Sequence, residues 1–320
     1  MTAVPPTAAV VTVRAPAKIN LCLHVGPVRP DGYHPLATVY QAIGLYDDVT
    51  VTEHTHWVVN TVADSELERQ GFDPTTVPDD ETNLAVRAGK ALVAHHGIDR
   101  AAHIEIHKGI PVAGGLAGGS ADAAATLVAL DRLWNLQTSD DDLLELAAGL
   151  GSDVPFALLG GTASGVGRGE LVEPVPNLVN AWWVVVPSEI GLSTPAVYRQ
   201  FDVLAEHGEM LTHDPTVPAG LLRALKSGSF EVLESVLITS QANDLTPAAY
   251  TLRPDLAERD ELLRDIAGEA VLLSGSGPTQ LVLCRTTAEA RAAARALTHH
   301  DIPHWLAPGP VAGCHVVSYR

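Results

Sequence analysis

The sequence predicts an α+β chain organised in two domains. At 320 residues it is about twice the length of a common domain of roughly 150 residues. Its first half mixes strands, helices and a glycine-rich loop without a regular doubly wound repeat, and near its end short strands alternate with helices. Hydrophobic residues make up 46% of the chain and charged residues 18%, which suits a chain with a sizeable core rather than a disordered one. Aromatics at 5% leave Ala, Val and Leu to build most of that core. Twenty Lys and Arg against 38 Asp and Glu give a net charge of −18, which argues against nucleic acid or an anionic membrane as partner. Cys22, Cys284 and Cys314 are too few and scattered for a disulfide framework or a zinc site, and read as buried free thiols of a reducing cytosol. No run reaches the ~18 apolar residues of a membrane span. Met1–Val10 lacks the basic start and apolar stretch of a secretory leader, so the expected location is cytoplasmic.

Alternating apolar runs predict strands over Val10–Arg14, Asn20–Val25, Thr38–Ile43, Val49–Glu53 and Trp57–Val62. Asp64–Asp80 is polar, acidic and Pro-containing, and reads as a loop. Asn83–His96 carries Leu84, Ala88, Ala91 and Leu92 at helical spacing, and Gly97 ends it. Strand His103–His107 leads into the loop Gly109–Gly119 and a helix from Ser120 to about Trp134. A helix over Asp140–Gly149 follows, then a tight turn at Leu150–Pro155 and a loose glycine-rich stretch, Gly160–Gly169. Pro174–Pro176 is the expected boundary, dividing 1–175 from 176–320. The second part opens with strand Trp182–Val186 and runs mostly helical to about Ala267, broken at Thr212–Pro218 by two prolines. Strands Val271–Leu273 and Gln280–Cys284, helix Ala288–Leu297 and a last strand Cys314–Ser318 complete an expected α+β sandwich.

The densest signal is Pro111-Val-Ala-Gly-Gly-Leu-Ala-Gly-Gly-Ser-Ala121, with four Gly and three Ala in eleven residues. Such a backbone can approach a ligand closely. Ser120 stands as N-cap or first-turn residue of a helix whose N-terminus suits a phosphate. A purely structural loop is the plainer alternative; the strand before it and the Ala-rich helix after it favour the phosphate. It is not a Walker A loop, since the only Gly-Lys pair, Gly89-Lys90, is followed by Ala91; nor is it G-x-G-x-x-G. Asp122 reads as a complement to the helix dipole that points away from the ligand, with direct Mg²⁺ ligation the lesser alternative. Ser120 is the better metal-side group.

Other residues have two readings. Lys18 lies between apolar strand segments, where a snorkelling stem competes with a functional ammonium. Asp153 is a lone acid in an apolar turn, and Ser152 or Asp153 could instead cap the segment that follows. Asp31-Gly-Tyr33-His34 reads on its own as a hairpin turn, and Ser274-Gly-Ser-Gly277 as a turn between strands. For Trp182-Trp183, core packing suits at least one ring. His54, His56, His95 and His96 lack a Cys or acid to complete a tetrahedral set, so exposed histidines are expected.

Three segments taken together resemble the GHMP kinase superfamily. They are Ala15-Pro-Ala-Lys18-Ile-Asn20-Leu with Arg29-Pro-Asp-Gly-Tyr33-His34; the glycine-rich loop; and Leu273-Ser-Gly-Ser-Gly-Pro-Thr279. The first pairing resembles, within it, the 4-diphosphocytidyl-2-C-methyl-D-erythritol kinases of non-mevalonate isoprenoid synthesis rather than mevalonate or homoserine kinases. Ala113 and Ala117 stand where that family often has Gly, which demands negative φ or local tolerance. The resemblance implies an N-terminal half like ribosomal S5 domain 2, a ferredoxin-like C-terminal half, and an active site between them. It implies ATP as donor with Mg²⁺, the C2 hydroxyl of the methylerythritol unit as acceptor, and a monomer or homodimer with no nucleic-acid or membrane partner.

Residue by residue, the resemblance makes Asp153 the catalytic acid–base group and Lys18 its partner. Pro111, Val112, Ala113, Gly114, Gly115, Leu116, Ala117, Gly118, Gly119, Ser120 and Ala121 become the phosphate cradle, with Asn83 and Lys108 on the adenine side. Tyr33 and Tyr198 match positions that sandwich cytosine, Tyr198 standing where some relatives have Phe, and His34 matches one that reads the base's edge. Asn20 and Thr194 match contacts to the sugar alcohol or its phosphates. Ser274–Gly277 packs beside the phosphate loop, and Asn243-Asp244 is structural. The chemistry needs the pair because an alcohol is a poor nucleophile until a carboxylate takes its proton, and a nearby ammonium favours the ionised carboxylate. In so acidic a chain, positive potential must come from Lys18, Lys108 and the helix dipole. Another GHMP small-molecule kinase, or a silent ligand sensor of that fold, is the alternative; a sensor would be expected to lose Lys18 or Asp153.

Overall fold

The computed structural model describes residues 9–69, 71–111, 114–210, 213–240 and 242–319. Two long antiparallel strands, β1 (Val10–Val25) and β2 (Leu36–His54), form the spine, in register from Val10↔Thr52 to Val25↔Leu36. Four shorter strands were expected here. Register shifts at Pro16/Ala17 and Asn20/Cys22 act as bulges that carry β1 through its proline without ending the pairing. Residues 15–23 of β1 are all buried, so the alternation that marks a strand survives only at its ends.

β3 (Val58–Ala63) is followed by α1 (Ser65–Arg69) and a 3₁₀ turn at Pro74–Thr76, inside the segment expected as loop. α2 (Leu84–His96) ends at Gly97 in the left-handed conformation. β4 (Ala101–Lys108) pairs antiparallel with β2 and parallel with β3. α3 (Gly118–Trp134) buries Ala121, Ala123, Ala124, Ala125 and Ala129, whose small side chains let the helix lie close to β1 and β2.

α4 (Asp140–Leu150) and α5 (Val154–Leu159) lead to β5 (Thr162–Gly167) and β6 (Leu171–Pro174). The stretch read as loose is therefore mostly strand, with β5 paired to β2 from Leu36↔Gly167 to Gln41↔Thr162. Its glycines serve close approach: a Cβ at Gly165 would lie 2.6 Å from the Tyr40 ring, and one at Gly169 2.3 Å from the Tyr40 hydroxyl.

β7 (Ala181–Val186) opens a second sheet and is followed by α6 (Thr194–Glu206), α7 (Ala219–Ser227), α8 (Phe230–Thr239), α9 (Thr246–Leu252) and α10 (Pro254–Ile266). β8 (Val271–Leu273), β9 (Gln280–Cys284), α11 (Thr287–His299) and β10 (Trp305–Gly309) complete it in the order β10-β7-β9-β8. The last strand, β11 (His315–Tyr319), does not join this sandwich. It crosses back and pairs antiparallel with β1, giving the first sheet the order β11-β1-β2-β4-β3, with β5 on β2 and β6 on β5. The buried Trp183 donates its indole N–H to Gln41 at 2.7 Å, tying β7 to β2.

Candidate active site

A cleft of about 830 Å³ lies among β1, β2, the glycine-rich loop, the start of α5, α6 and the 274–277 turn. Lys18 is 7% exposed on β1; its Nζ donates to Asn20 Oδ1 at 2.8 Å and lies 3.7 Å from Asp153 Oδ2. Asn20 passes the chain on to Thr38 Oγ1 at 2.8 Å, and Thr38 donates to the Cys22 carbonyl at 2.6 Å. Lys18 is thus a buried ammonium with named partners, not a snorkelling stem. Asp153 stands at the N-terminus of α5, but its side chain makes no capping hydrogen bond, which leaves the carboxylate to face Lys18.

The glycine-rich loop is held from two sides. The Lys18 N–H donates to the Leu116 carbonyl at 3.1 Å, Ser274 Oγ to the Gly115 carbonyl and Thr279 Oγ1 to that of Gly114, both at 2.9 Å. Gly114 and Gly115 have φ of +83° and +85°, and a Cβ at Gly115 would lie 2.2 Å from the Ser274 carbonyl oxygen. The turn Ser274–Gly277 does pack on the loop, and Asn243 holds it by donating to the carbonyls of Leu273 and Gly275 at 2.9 and 2.7 Å. Asp244 accepts from the Val25 N–H at 2.9 Å, a structural use of that pair.

α3 starts at Gly118, and its N-cap is Ala117 with φ +58°, not Ser120. Of the expected cradle, Pro111, Gly114, Gly115, Leu116, Ala117, Gly118 and Gly119 line the cleft. Ser120 lies in the first turn of α3 and Ala121 is buried beneath it; neither lines the cleft. Val112 and Ala113 lie outside the described residues.

Lys108 lines the cleft, with its ammonium held between two buried acids. It is 2% exposed, with its Nζ donating to Asp47 and, at 2.8 Å, to Asp122. Burial opposes the charge, yet the carboxylates of Asp122 and Asp47 raise the Lys108 pKa above its usual value. Asp47 also accepts from the N–H groups of Gly109 and Ile110 at 2.8 and 2.9 Å, which pins the start of the loop. Asp122 does not point away; it is 3% exposed, lines the cleft and leaves Oδ1 without a partner among the described residues. Burial pushes its carboxyl up to about 8, against the pull of Lys108. One ammonium between two acids supplies no net positive charge here, which leaves Lys18 and the N-terminus of α3 as the positive features of this part of the cleft.

Asn83 is also placed differently. It caps α2 by accepting from the Ala85 N–H at 2.9 Å, donates to the Pro78 carbonyl at 2.7 Å, and does not line the cleft. Its hydrogen bond to Pro78 ties it to Thr76–Pro78, which do line the cleft.

At the other end, His34 Nδ1 donates to the Gly26 carbonyl at 2.8 Å, a bond that places the proton on Nδ1 because a carbonyl only accepts. Its ring lies 5.1 Å from that of Tyr198, and its Nε2 lies 3.5 Å from Asp202. Tyr33 is 54% exposed, with the Arg168 guanidinium 5.1 Å over its ring. Thr194 Oγ1 is hydrogen-bonded to Ser276 Oγ at 2.8 Å. Tyr33, His34, Arg168, Thr194, Tyr198, Asp202 and Ser276 line the same cleft as Lys18 and Asp153.

The GHMP kinases N terminal domain matches residues 83–161, and the GHMP kinases C terminal domain matches residues 221–302. A 4-diphosphocytidyl-2-C-methyl-D-erythritol kinase from Nocardioides sp. is 52% identical over 311 residues, covering 96% of this chain and 100% of the relative. That of Streptomyces avermitilis is 44% identical over 309 residues, covering 96% and 99%. The chain belongs to the 4-diphosphocytidyl-2-C-methyl-D-erythritol kinase family of the GHMP kinases. A crystal structure of 4-(cytidine 5'-diphospho)-2C-methyl-D-erythritol kinase superposes with a TM-score of 0.73 at 31% identity, covering 94% of this chain and 100% of that one. Homoserine kinase from Cytophaga hutchinsonii, at 17% identity and a TM-score of 0.70 over 99% and 100%, shares the fold.

Within this GHMP kinase cleft, Tyr40, Ser152 and Arg168 are lining residues that sequence reasoning missed. Tyr40 sits in a strand whose pattern reads as plain core, and Arg168 in a stretch read as loose. Among the described residues no three His, Cys, Asp or Glu converge as a metal site, and the paired histidines His54 and His56 are exposed. No helix among them is long and apolar enough to cross a membrane. The N-terminus of α3 lines the cleft and has no side-chain cap, an arrangement whose chemistry suits a phosphate.

Proposed function

We propose that this cytoplasmic kinase transfers the γ-phosphoryl group of ATP to the C2 hydroxyl of 4-diphosphocytidyl-2-C-methyl-D-erythritol, a step of non-mevalonate isoprenoid synthesis. The observation that carries it is the Lys18–Asp153 pair, 3.7 Å apart and joined through the Lys18 N–H to the phosphate loop. The Asp153 carboxylate takes the proton of the C2 hydroxyl as its oxygen attacks the γ-phosphorus. The bond to the β–γ bridging oxygen breaks and ADP leaves. Lys18 offsets the charge developing on the attacking oxygen, and the N–H groups of the loop and of the first turn of α3 receive the phosphates. Bound Mg²⁺ would neutralise phosphate charge; Ser120, the residue expected on the metal side, does not line the cleft, so the phosphates themselves would supply its oxygen ligands. Tyr33 and Tyr198 provide stacking faces for cytosine and His34 lies against one of them. Asn20 and Thr194 are the polar contacts for the rest of the acceptor.

A coupled assay of ADP release tests this. The cytidylyl substrate is expected to support turnover at concentrations where mevalonate and homoserine do not. Equal or better turnover with mevalonate or homoserine would overturn it.

A further inference from the structure

Asp202 lines the cleft, and nothing in the phosphoryl-transfer chemistry uses it. It sits on α6 one turn after Tyr198, the ring that offers cytosine a stacking face, so the two share one side of the helix. Between them Phe201 is buried with Val197 and Leu204, which holds α6 against the core and fixes where Asp202 stands. His34 meets all three residues. Its ring lies 5.1 Å from that of Tyr198 and 5.8 Å from that of Phe201, edge-on at 86°, and its Nε2 lies 3.5 Å from Asp202 Oδ2. The other ring nitrogen is committed. Nδ1 donates to the Gly26 carbonyl at 2.8 Å, and the Gly26 N–H in turn donates to the Pro35 carbonyl at 2.9 Å. In the neutral ring Nε2 therefore offers a lone pair, beside a carboxylate that also only accepts. The two do not satisfy each other, since their separation exceeds the roughly 2.7–3.2 Å of an ordinary hydrogen bond.

We infer that Asp202 is a specificity-determining residue which, together with His34 Nε2, selects a pyrimidine bearing an exocyclic amine over one bearing a carbonyl oxygen at the same place. The inference rests on the proposed use of this end of the cleft as the cytosine site. The amine of cytosine carries two N–H donors on one nitrogen and can give one to each of two neighbouring acceptors. Uracil places an oxygen there instead. Three acceptors would then face one another with no proton among them, and an acceptor taken out of water without a donor costs free energy. The charge of Asp202 sharpens the choice, because it strengthens the bond to an amine hydrogen and repels a carbonyl oxygen.

Titration calorimetry with the cytidylyl compound and its uridylyl counterpart, which differs in that group and the adjoining ring proton, tests this. Wild-type protein is expected to bind the cytidylyl compound about 100-fold or more tightly than the uridylyl one. Asp202→Asn supplies an amide that can turn an N–H to the carbonyl oxygen, and the ratio is expected to fall below about tenfold. Loss of the negative charge favours both phosphate-bearing compounds alike, so the ratio rather than either affinity is the readout. A wild-type ratio under about tenfold would overturn the proposal, and so would an Asp202→Asn protein that keeps the wild-type ratio. An ADP-release assay separates this from the underlying reading. Selective binding of the cytidylyl compound without ADP release would remove the phosphoryl-transfer reading and leave this one standing. Equal binding and equal turnover of the two compounds would do the reverse.

Discussion

Asp153 shows how little of a residue's role lies in its immediate neighbours. It occupies the position of a helix cap and does no capping; its carboxylate instead faces an ammonium 135 positions earlier on β1. Asp153→Asn is expected to lower kcat by about 10²–10⁴ while the fold and ATP binding persist, read by steady-state kinetics and nucleotide titration. Near-normal turnover would remove the base from Asp153. Tyr198 is the matching case for the acceptor: its ring lies against His34 at one end of the cleft. Tyr198→Ala is expected to raise KM for the cytidylyl substrate about tenfold and leave KM for ATP within about twofold. Asp153 stands in a local pattern, Gly151-Ser152-Asp153-Val154-Pro155, whereas Tyr198 lies in no such pattern and is reached only through the family resemblance. Tyr40, which lines the cleft, does not stand out in the sequence, because in a strand buried on both faces a core aromatic and a cleft-lining one have the same spacing.

At the scale of elements, the loop and the N-terminus of α3 are positioned by charge beneath them and paid for by local strain. Ala117 adopts φ +58°, a conformation that costs an L-residue roughly 1–2 kcal/mol. Ala117→Gly is therefore expected to leave stability unchanged or raise it by up to about 1 kcal/mol. Ala124→Gly, in the buried interior of the same helix, is expected to lose about 1 kcal/mol or more by chemical denaturation. Lys108 holds Asp47 and Asp122 together under the loop, each side chain at most 5% exposed. Lys108→Met leaves two buried carboxylates without their cation, and a loss of about 3–5 kcal/mol is expected from the same measurement. A loss under about 1 kcal/mol would show that the three groups do not stabilise the loop's base. The sequence marked Lys108 as one of few basic residues near the loop; that two acids neutralise it depends on Asp47, sixty-one positions away.

Over the whole molecule, the two halves are laced together by the chain's last strand. β11 pairs with β1 through Val11↔Tyr319 to Arg14↔His315, well before Lys18 in the strand. Removing residues 315–320 uncovers that edge of β1, and thermal and chemical unfolding are expected to show a loss of about 2–4 kcal/mol. The folded fraction should retain its kcat, since no cleft residue lies on β11. A truncated protein as stable as the full chain would mean that the edge of β1 needs no cover.

What the sequence determined by itself is the set of elements with a strong local period or a short motif. These are α2 with its Asn83 start and Gly97 stop, the glycine loop entering a helix, the Lys18 and Asp153 motifs, and β7, β8 and β9 of the second sheet, though not its edge strand β10. Hydrophobic spacing and turn chemistry act over a few residues, and those elements answer to them. Only the tertiary structure decided that β5 is a strand despite its two glycines, that β11 returns to the first sheet, and that Lys108 is neutralised while Lys18 faces Asp153. Each of these is settled by a partner dozens to hundreds of positions distant, through close packing and buried charge. Such forces act through space and leave no periodic trace along the chain.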